Sequence, residues 1–202
     1  LCTAVLTSCE RQQMARLAQD NLRSAFAQRR AFRRFCAATA LGDGRDLSLM
    51  VFDVTERGRP YLRRVPEFRF SFSSCRFGML GAWSATCAVG VDIEDDNRDI
   101  EALALAREFF TGEEAAFVEQ AASADRESIF YQFWSLKEAA LKSVGEGLPF
   151  GLDTFAFELL PAPRVVDAPG PFGSPGQFRA YPLGQGNFNA ALVTHLPVGN
   201  IT

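Results

Sequence analysis

The sequence predicts an α+β fold in two halves, each opening with helix and closing with strands. Three observations carry this prediction. Between Glu10 and Leu41, apolar residues recur at helical spacing (Met14, Leu17, Leu22, Phe26, Phe32, Phe35, Cys36) with arginines between them. Phe68, Phe70 and Phe72 alternate with Arg69, Ser71 and Ser73, the period of a half-buried strand. A second helical region then begins near Ile100 and again gives way to strands. No sequence repeat is visible, but the shared order permits two similar halves.

Taken in order, the arginine-rich region reads as one or two amphipathic helices ended by Gly42-Asp43-Gly44. Leu47 to Val54 reads as a strand and Glu56 to Pro60 as a turn, since Pro60 has no donor for a ladder. Cys87 to Ile93 is a further strand. Helices follow over Ile100 to Phe109, Gly112 to Ala122 and Arg126 to Val144. Strands near Thr154 to Leu159, Gln177 to Tyr181 and Phe188 to Thr194 close the chain, with a Pro/Gly-rich loop over Pro161 to Gly176.

The 202 residues, 48% of them hydrophobic and 22% charged, suffice for one large domain or two small ones. Apolar stretches break well before the ~20 residues that cross a bilayer, and no basic-then-apolar leader opens the sequence. Five scattered cysteines without Cys-x-x-Cys spacing indicate neither a disulfide framework nor a zinc site. The expectation is a cytoplasmic protein with no membrane partner. Residues 1–90 carry a balance of +7 and residues 91–202 one of −10. The basic half suits an anion and the acidic half a cation, although two solvated faces would look the same. A nucleic-acid role fits poorly, because the acidic half would repel the duplex. With one histidine, His195, a serine or cysteine hydrolase lacks a base.

Two segments hold the chemistry. In Val89-Gly90-Val91-Asp92-Ile93-Glu94, strand geometry sends the apolar residues to one face and Gly90, Asp92 and Glu94 to the other. Two carboxylates on one strand are a partial site for a hard cation such as Mg²⁺, or simply a wet face. In Phe133 to Lys142, Trp134, Glu138 and Lys142 share a helical stripe beside the apolar Phe133, Leu136 and Ala140. A partly buried carboxylate there calls for a partner such as a metal.

These segments, with Phe109-Phe110-Thr111-Gly112-Glu113-Glu114, Gly145-Glu146-Gly147-Leu148 and Asp153-Thr154-Phe155 in the same order, resemble the 4'-phosphopantetheinyl transferase superfamily of surfactin-synthetase-activating type. The resemblance runs from about Gly90 to Phe157, and more faintly back through Gly58-Arg59-Pro60 and Phe70 to Ser74. It implies Mg²⁺-dependent (or Mn²⁺-dependent) transfer of phosphopantetheine from coenzyme A to a serine of an apo acyl or peptidyl carrier protein, releasing adenosine 3',5'-bisphosphate. A monomer whose two α+β halves are related by a pseudo-twofold, with the active site in their cleft, is also implied. Residues 1–90 would be the coenzyme side and residues 91–202 the metal and catalytic side.

Position by position, the resemblance makes Asp92, Glu94 and Glu138 the metal carboxylates. Lys142 would meet the phosphates, and Glu138, or Glu114 through water, would take the serine proton. Arg59 and Pro60, Ser73 and Ser74, Lys137, and Arg23 on the helix would contact coenzyme A. Ser71 and Ser74 stand where the family has asparagine and histidine, with Arg76 the nearby cation able to stand in for the histidine. His195 is assigned no role. Two alternatives stand beside this reading: a coenzyme A-binding member without turnover, and another Mg²⁺-dependent phosphoryl or nucleotidyl transferase.

Overall fold

The computed structural model describes residues 2–42, 46–96, 99–145, 150–184 and 188–196, and the fold is α+β. The arginine-rich region forms two helices, α1 (Ser8–Ala15) and α2 (Asp20–Leu41). Thr7 and Glu10 close a capping box on α1, and Gly42 ends α2 in the left-handed conformation at φ 67°. Asp43 and Gly44 of that stop signal lie outside the described residues, as does the Glu146-Gly147-Leu148 motif. Where one strand is expected over Leu47 to Val54, there is a 3-10 turn at Leu47–Leu49 and a short β1 (Phe52–Val54). β1 pairs antiparallel with β2 (Pro60–Leu62), and Pro60 takes the end of that ladder opposite Val54.

β3 (Arg69–Cys75) pairs antiparallel with β4 (Gly78–Ser84), a glycine-bearing strand that the sequence pattern does not signal. Phe70 and Phe72 meet Phe52 edge-on at 5.5 and 5.7 Å, which seats this sheet on a small core with Ala37, Met50 and Leu62. The serine face of β3 is not wet. Ser71 is 4% exposed because that face covers the next strand, β5 (Ala88–Asp95).

β5 lies at the edge of a three-stranded antiparallel sheet with β9 (Phe188–His195) and β8 (Phe178–Pro182). A division after residue 90 falls inside β5, whose ladder partners all belong to the C-terminal region. Helices α3 (Ala102–Phe109), α4 (Gly112–Gln120) and α5 (Arg126–Val144) follow. The Pro/Gly-rich loop contains β7 (Arg164–Asp167), which pairs with β6 (Ala156–Glu158). Helix α5 crosses β5 and β9 and buries Phe130, Phe133, Leu136, Ala139, Ala140 and Leu141 in the main core. No helix among the described residues is long and apolar enough to cross a membrane.

Candidate active site at the strand β5 and helix α5 crossing

β5 is buried on both faces at Gly90 and Asp92, which removes the wet-face alternative for these two residues, while Glu94 is half-buried. The cause is α5. A Cβ on Gly90 would lie 1.9 Å from the Ala139 carbonyl oxygen and 2.5 Å from the Ser143 amide nitrogen, so only glycine admits the helix at this distance. The crossing sets Asp92, 2% exposed, beside the last turns of α5, where Glu138 and Lys142 project one turn apart.

Lys142 Nζ lies 2.6 Å from Asp92 Oδ1 and 3.8 Å from Glu138 Oε2. The Ser73 hydroxyl on β3 donates to the same Asp92 oxygen at 2.8 Å. Two residues earlier, Ser71 Oγ accepts the Val91 amide at 3.0 Å, so Ser71 satisfies a backbone donor of β5 while Ser73 holds the Asp92 side chain. Asp92 Oδ2 is buried and has no hydrogen-bond partner. Burial pushes the Glu138 carboxyl above its ordinary value; Lys142 pulls it down and Asp92 pushes it further up.

An unpartnered buried carboxylate oxygen beside a desolvated glutamate is an all-oxygen donor set, and it fits a hard divalent cation. Asp92 and Glu138 are thus brought together, but Glu94, half-buried further along β5, is not. Among the described residues no three acidic, histidine or cysteine side chains form a metal cluster. Lys142 stands on Asp92 instead.

Glu114 and Lys137 lie elsewhere, contrary to the roles expected of them. Lys137 Nζ is wholly buried, 2.6 Å from Glu114 Oε2, and donates to the carbonyls of Leu152 and Phe155 at 2.9 and 2.5 Å. Glu114 also accepts the Thr111 and Phe157 amides, both at 2.9 Å. With its oxygens so occupied inside the core, Glu114 ties α4 to α5 and β6 and is closed to substrate. The Thr111-x-x-Glu114 spacing is a capping-box signature and was the sequence signal for this framework role.

On the basic side, Arg59 reaches across to the end of α5, where Nη1 donates to the Ser143 carbonyl at 3.4 Å and packs against Gly145. Its Nη2 is buried without a partner, and burial, then neighbouring Arg69, lowers its pKa. Pro60 and Arg69 share the wall of an open cleft of about 590 Å³ with Arg59. Arg23 is remote from this seam and is taken up by Asp20 at 2.8 Å and the Leu17 carbonyl. The α2 arginines that line a cavity with Ser73 and Ser74 are Arg29 and Arg33, one turn apart and missed by the motif reading. Burial, then the charges of Arg30 and Arg29, lowers Arg33 to about 10, the mark of a desolvated cation with like charges beside it. Arg76 does not fill the histidine position, because it pairs with Asp95 at 2.6 Å. His195 stacks on Phe178 at 4.3 Å.

The model of the 4'-phosphopantetheinyl transferase superfamily matches residues 88–192, more than half of the chain and the whole span from β5 into β9. The chain belongs to that superfamily. Asp92, Glu138 and Lys142 lie inside the matched span, whereas Arg29, Arg33 and Arg59 lie before it. Among curated relatives of this 4'-phosphopantetheinyl transferase family member is a 4'-phosphopantetheinyl transferase of Bacillus pumilus, 33% identical over 110 residues (54% of this chain, 46% of the relative). A 4'-phosphopantetheinyl transferase of Bacillus subtilis is 32% identical over 127 residues (60% and 53%). The chain thus spans about half the length of the curated relatives it matches. Among solved structures, a holo-(acyl-carrier-protein) synthase from Bacillus anthracis aligns at TM-score 0.44 and 17% identity, covering 54% of this chain and 94% of that one.

Proposed function

We propose that this superfamily member transfers the 4'-phosphopantetheine of coenzyme A to a serine hydroxyl of an acyl or peptidyl carrier protein. The observation that carries the reading is the Asp92 carboxylate, held by Ser73 and Lys142 with one buried oxygen free. Asp92 and Glu138 would hold Mg²⁺ or Mn²⁺. When bound, the cation neutralises pyrophosphate charge and so stabilises charge built up during transfer.

The protein's own groups do the rest. Lys142 holds a phosphate oxygen. Arg59, with its unpartnered Nη2, and Arg29 and Arg33 beside Ser73 and Ser74 receive the nucleotide phosphates, in place of Arg23. Glu138, whose carboxyl is already held above its ordinary value, accepts the serine proton as the hydroxyl attacks the β-phosphorus. The phosphorus–oxygen bond to adenosine 3',5'-bisphosphate breaks as the new one forms, and positioning supplies most of the acceleration. Residues 1–90 and 91–202 serve as the nucleotide and metal sides of one monomer.

Apo carrier domains from fatty-acid, polyketide and peptide synthases, incubated with the protein, coenzyme A and Mg²⁺, should gain the mass of phosphopantetheine. No gain on any of them refutes the proposal. Coenzyme A binding without transfer would instead mark a binding protein, and ATP outcompeting coenzyme A a nucleotidyl transferase.

A further inference from the structure

The chain has 19 arginines but only two lysines, Lys137 and Lys142, both on α5. Each ammonium lies 2.6 Å from a buried carboxylate, but their surroundings differ. Lys137 is wholly enclosed, with three oxygen partners and no route out. Lys142 keeps 28% of its side chain exposed at the seam, touches Asp92, Glu138 and Ser73, and lacks the backbone carbonyls that lock Lys137. It is therefore a cation placed on the carboxylates but free to leave.

We infer that Lys142 is the resident counter-cation of the Asp92–Glu138 pair, and that a divalent cation binds only by displacing its ammonium toward the anionic ligand. The inference rests on the proposed function for the identity of the incoming cation. Its physical basis is charge. Asp92, at 2% exposure, cannot stand uncompensated, and among the described residues its charge is compensated by the ion pair with Lys142. A flexible four-carbon stem carrying a point charge can move off without disturbing the helix, whereas a guanidinium fork held bidentately could not do so as easily. Displacement leaves Lys142 without a carboxylate unless a phosphate receives it. Metal and phosphate-bearing ligand therefore bind with positive coupling, and the metal alone binds weakly. If the Lys142-paired state outweighs the open one by ~10:1, the apparent metal Kd is weakened about tenfold.

Two lysines make a two-signal lysine side-chain NMR spectrum, with Lys137 as the internal control. Titration of the whole protein with MgCl₂ alone should shift the Lys142 Nζ and Cε resonances while those of Lys137 stay in place; Lys142→Met assigns the signals. Lys142→Met should also bind Mn²⁺, followed by the EPR signal of the free ion, about tenfold more tightly than the wild-type protein. A Lys142 signal that stays in place while Mn²⁺ binds, equal or weaker Mn²⁺ binding by Lys142→Met, or no binding by either protein overturns the inference. The wild-type titration needs no variant, so poor folding of Lys142→Met leaves the test intact. Carrier modification with an immobile Lys142 refutes this inference alone, whereas a displaced Lys142 without carrier modification refutes only the proposed function.

Discussion

Replacing Gly90 by alanine should force helix α5 away from strand β5. The added Cβ would lie 1.9 Å from the Ala139 carbonyl oxygen, 2.5 Å from the Ser143 nitrogen and 2.9 Å from the Ala139 carbonyl carbon. All three atoms are helix backbone, so no rotamer change relieves the clash. Opening the shortest contact from 1.9 Å even to 3.0 Å requires a retreat of about 1.1 Å. Overpacking of this kind costs about 1–3 kcal/mol, and a rigid helix places it at the upper end. For a domain of this size ~3 kcal/mol corresponds to a fall of roughly 6–12 °C in Tm. Glu138 and Lys142 flank the points of contact, so the retreat also stretches the 2.6 Å contact between Lys142 and Asp92. A displacement of ~1 Å at a reacting centre costs on the order of 100-fold in rate. Circular-dichroism melting and the carrier mass-shift assay, run well below the variant's midpoint, test both parts. A Tm within about 2 °C of wild type together with a rate within about threefold would show that the helix does not depend on the missing Cβ.

Lys137→Met or Glu114→Gln should each destabilise the fold by about 3–5 kcal/mol, since either leaves an uncompensated group in a closed core. Urea melts of both singles and the double variant check this, and additive single effects would refute the pairing. Burial alone raises the Glu10 carboxyl, but the Thr7 amide and Arg34, 2.7 Å away, outweigh it and hold the group below its ordinary 4.5. A lowered folded-state value means that the contribution is complete above about pH 4.5 and lost as pH falls through the lower value. The Tm gap between wild type and Glu10→Gln should be steady at neutral pH and close in acid; a gap that persists at about pH 2 contradicts the assignment.

The motif order from Gly90 to Phe157 was enough to indicate the family, and the helical and alternating periods were enough to place α2, β3, α5 and β9. The glycine-bearing β4 and the β7 strand inside a Pro/Gly-rich stretch were not legible, because their pairing depends on partners and not on local pattern. Spacing set Asp92 on one strand face and Glu138 and Lys142 on one helix stripe, since each lies on a regular element whose period sets its direction, and the family resemblance singled them out. Their burial was not legible. Whether a strand face is wet depends on what lies across it, and here Gly90 admits a whole helix.

The same limit explains Glu114 and Lys137, which a motif reading sets beside the catalytic residues. Tertiary packing turns them inward onto each other and onto the carbonyls after α5. It also decides that Arg29 and Arg33, not Arg23, meet the serine strand, because a helix passing a sheet brings only a turn or two within reach. What the sequence determined by itself was chemistry: which residue types exist, in what order, and the opposite charges of the two halves. Only the folded chain decided which charges are buried and which face one another, because desolvation and pairing are properties of three-dimensional neighbours.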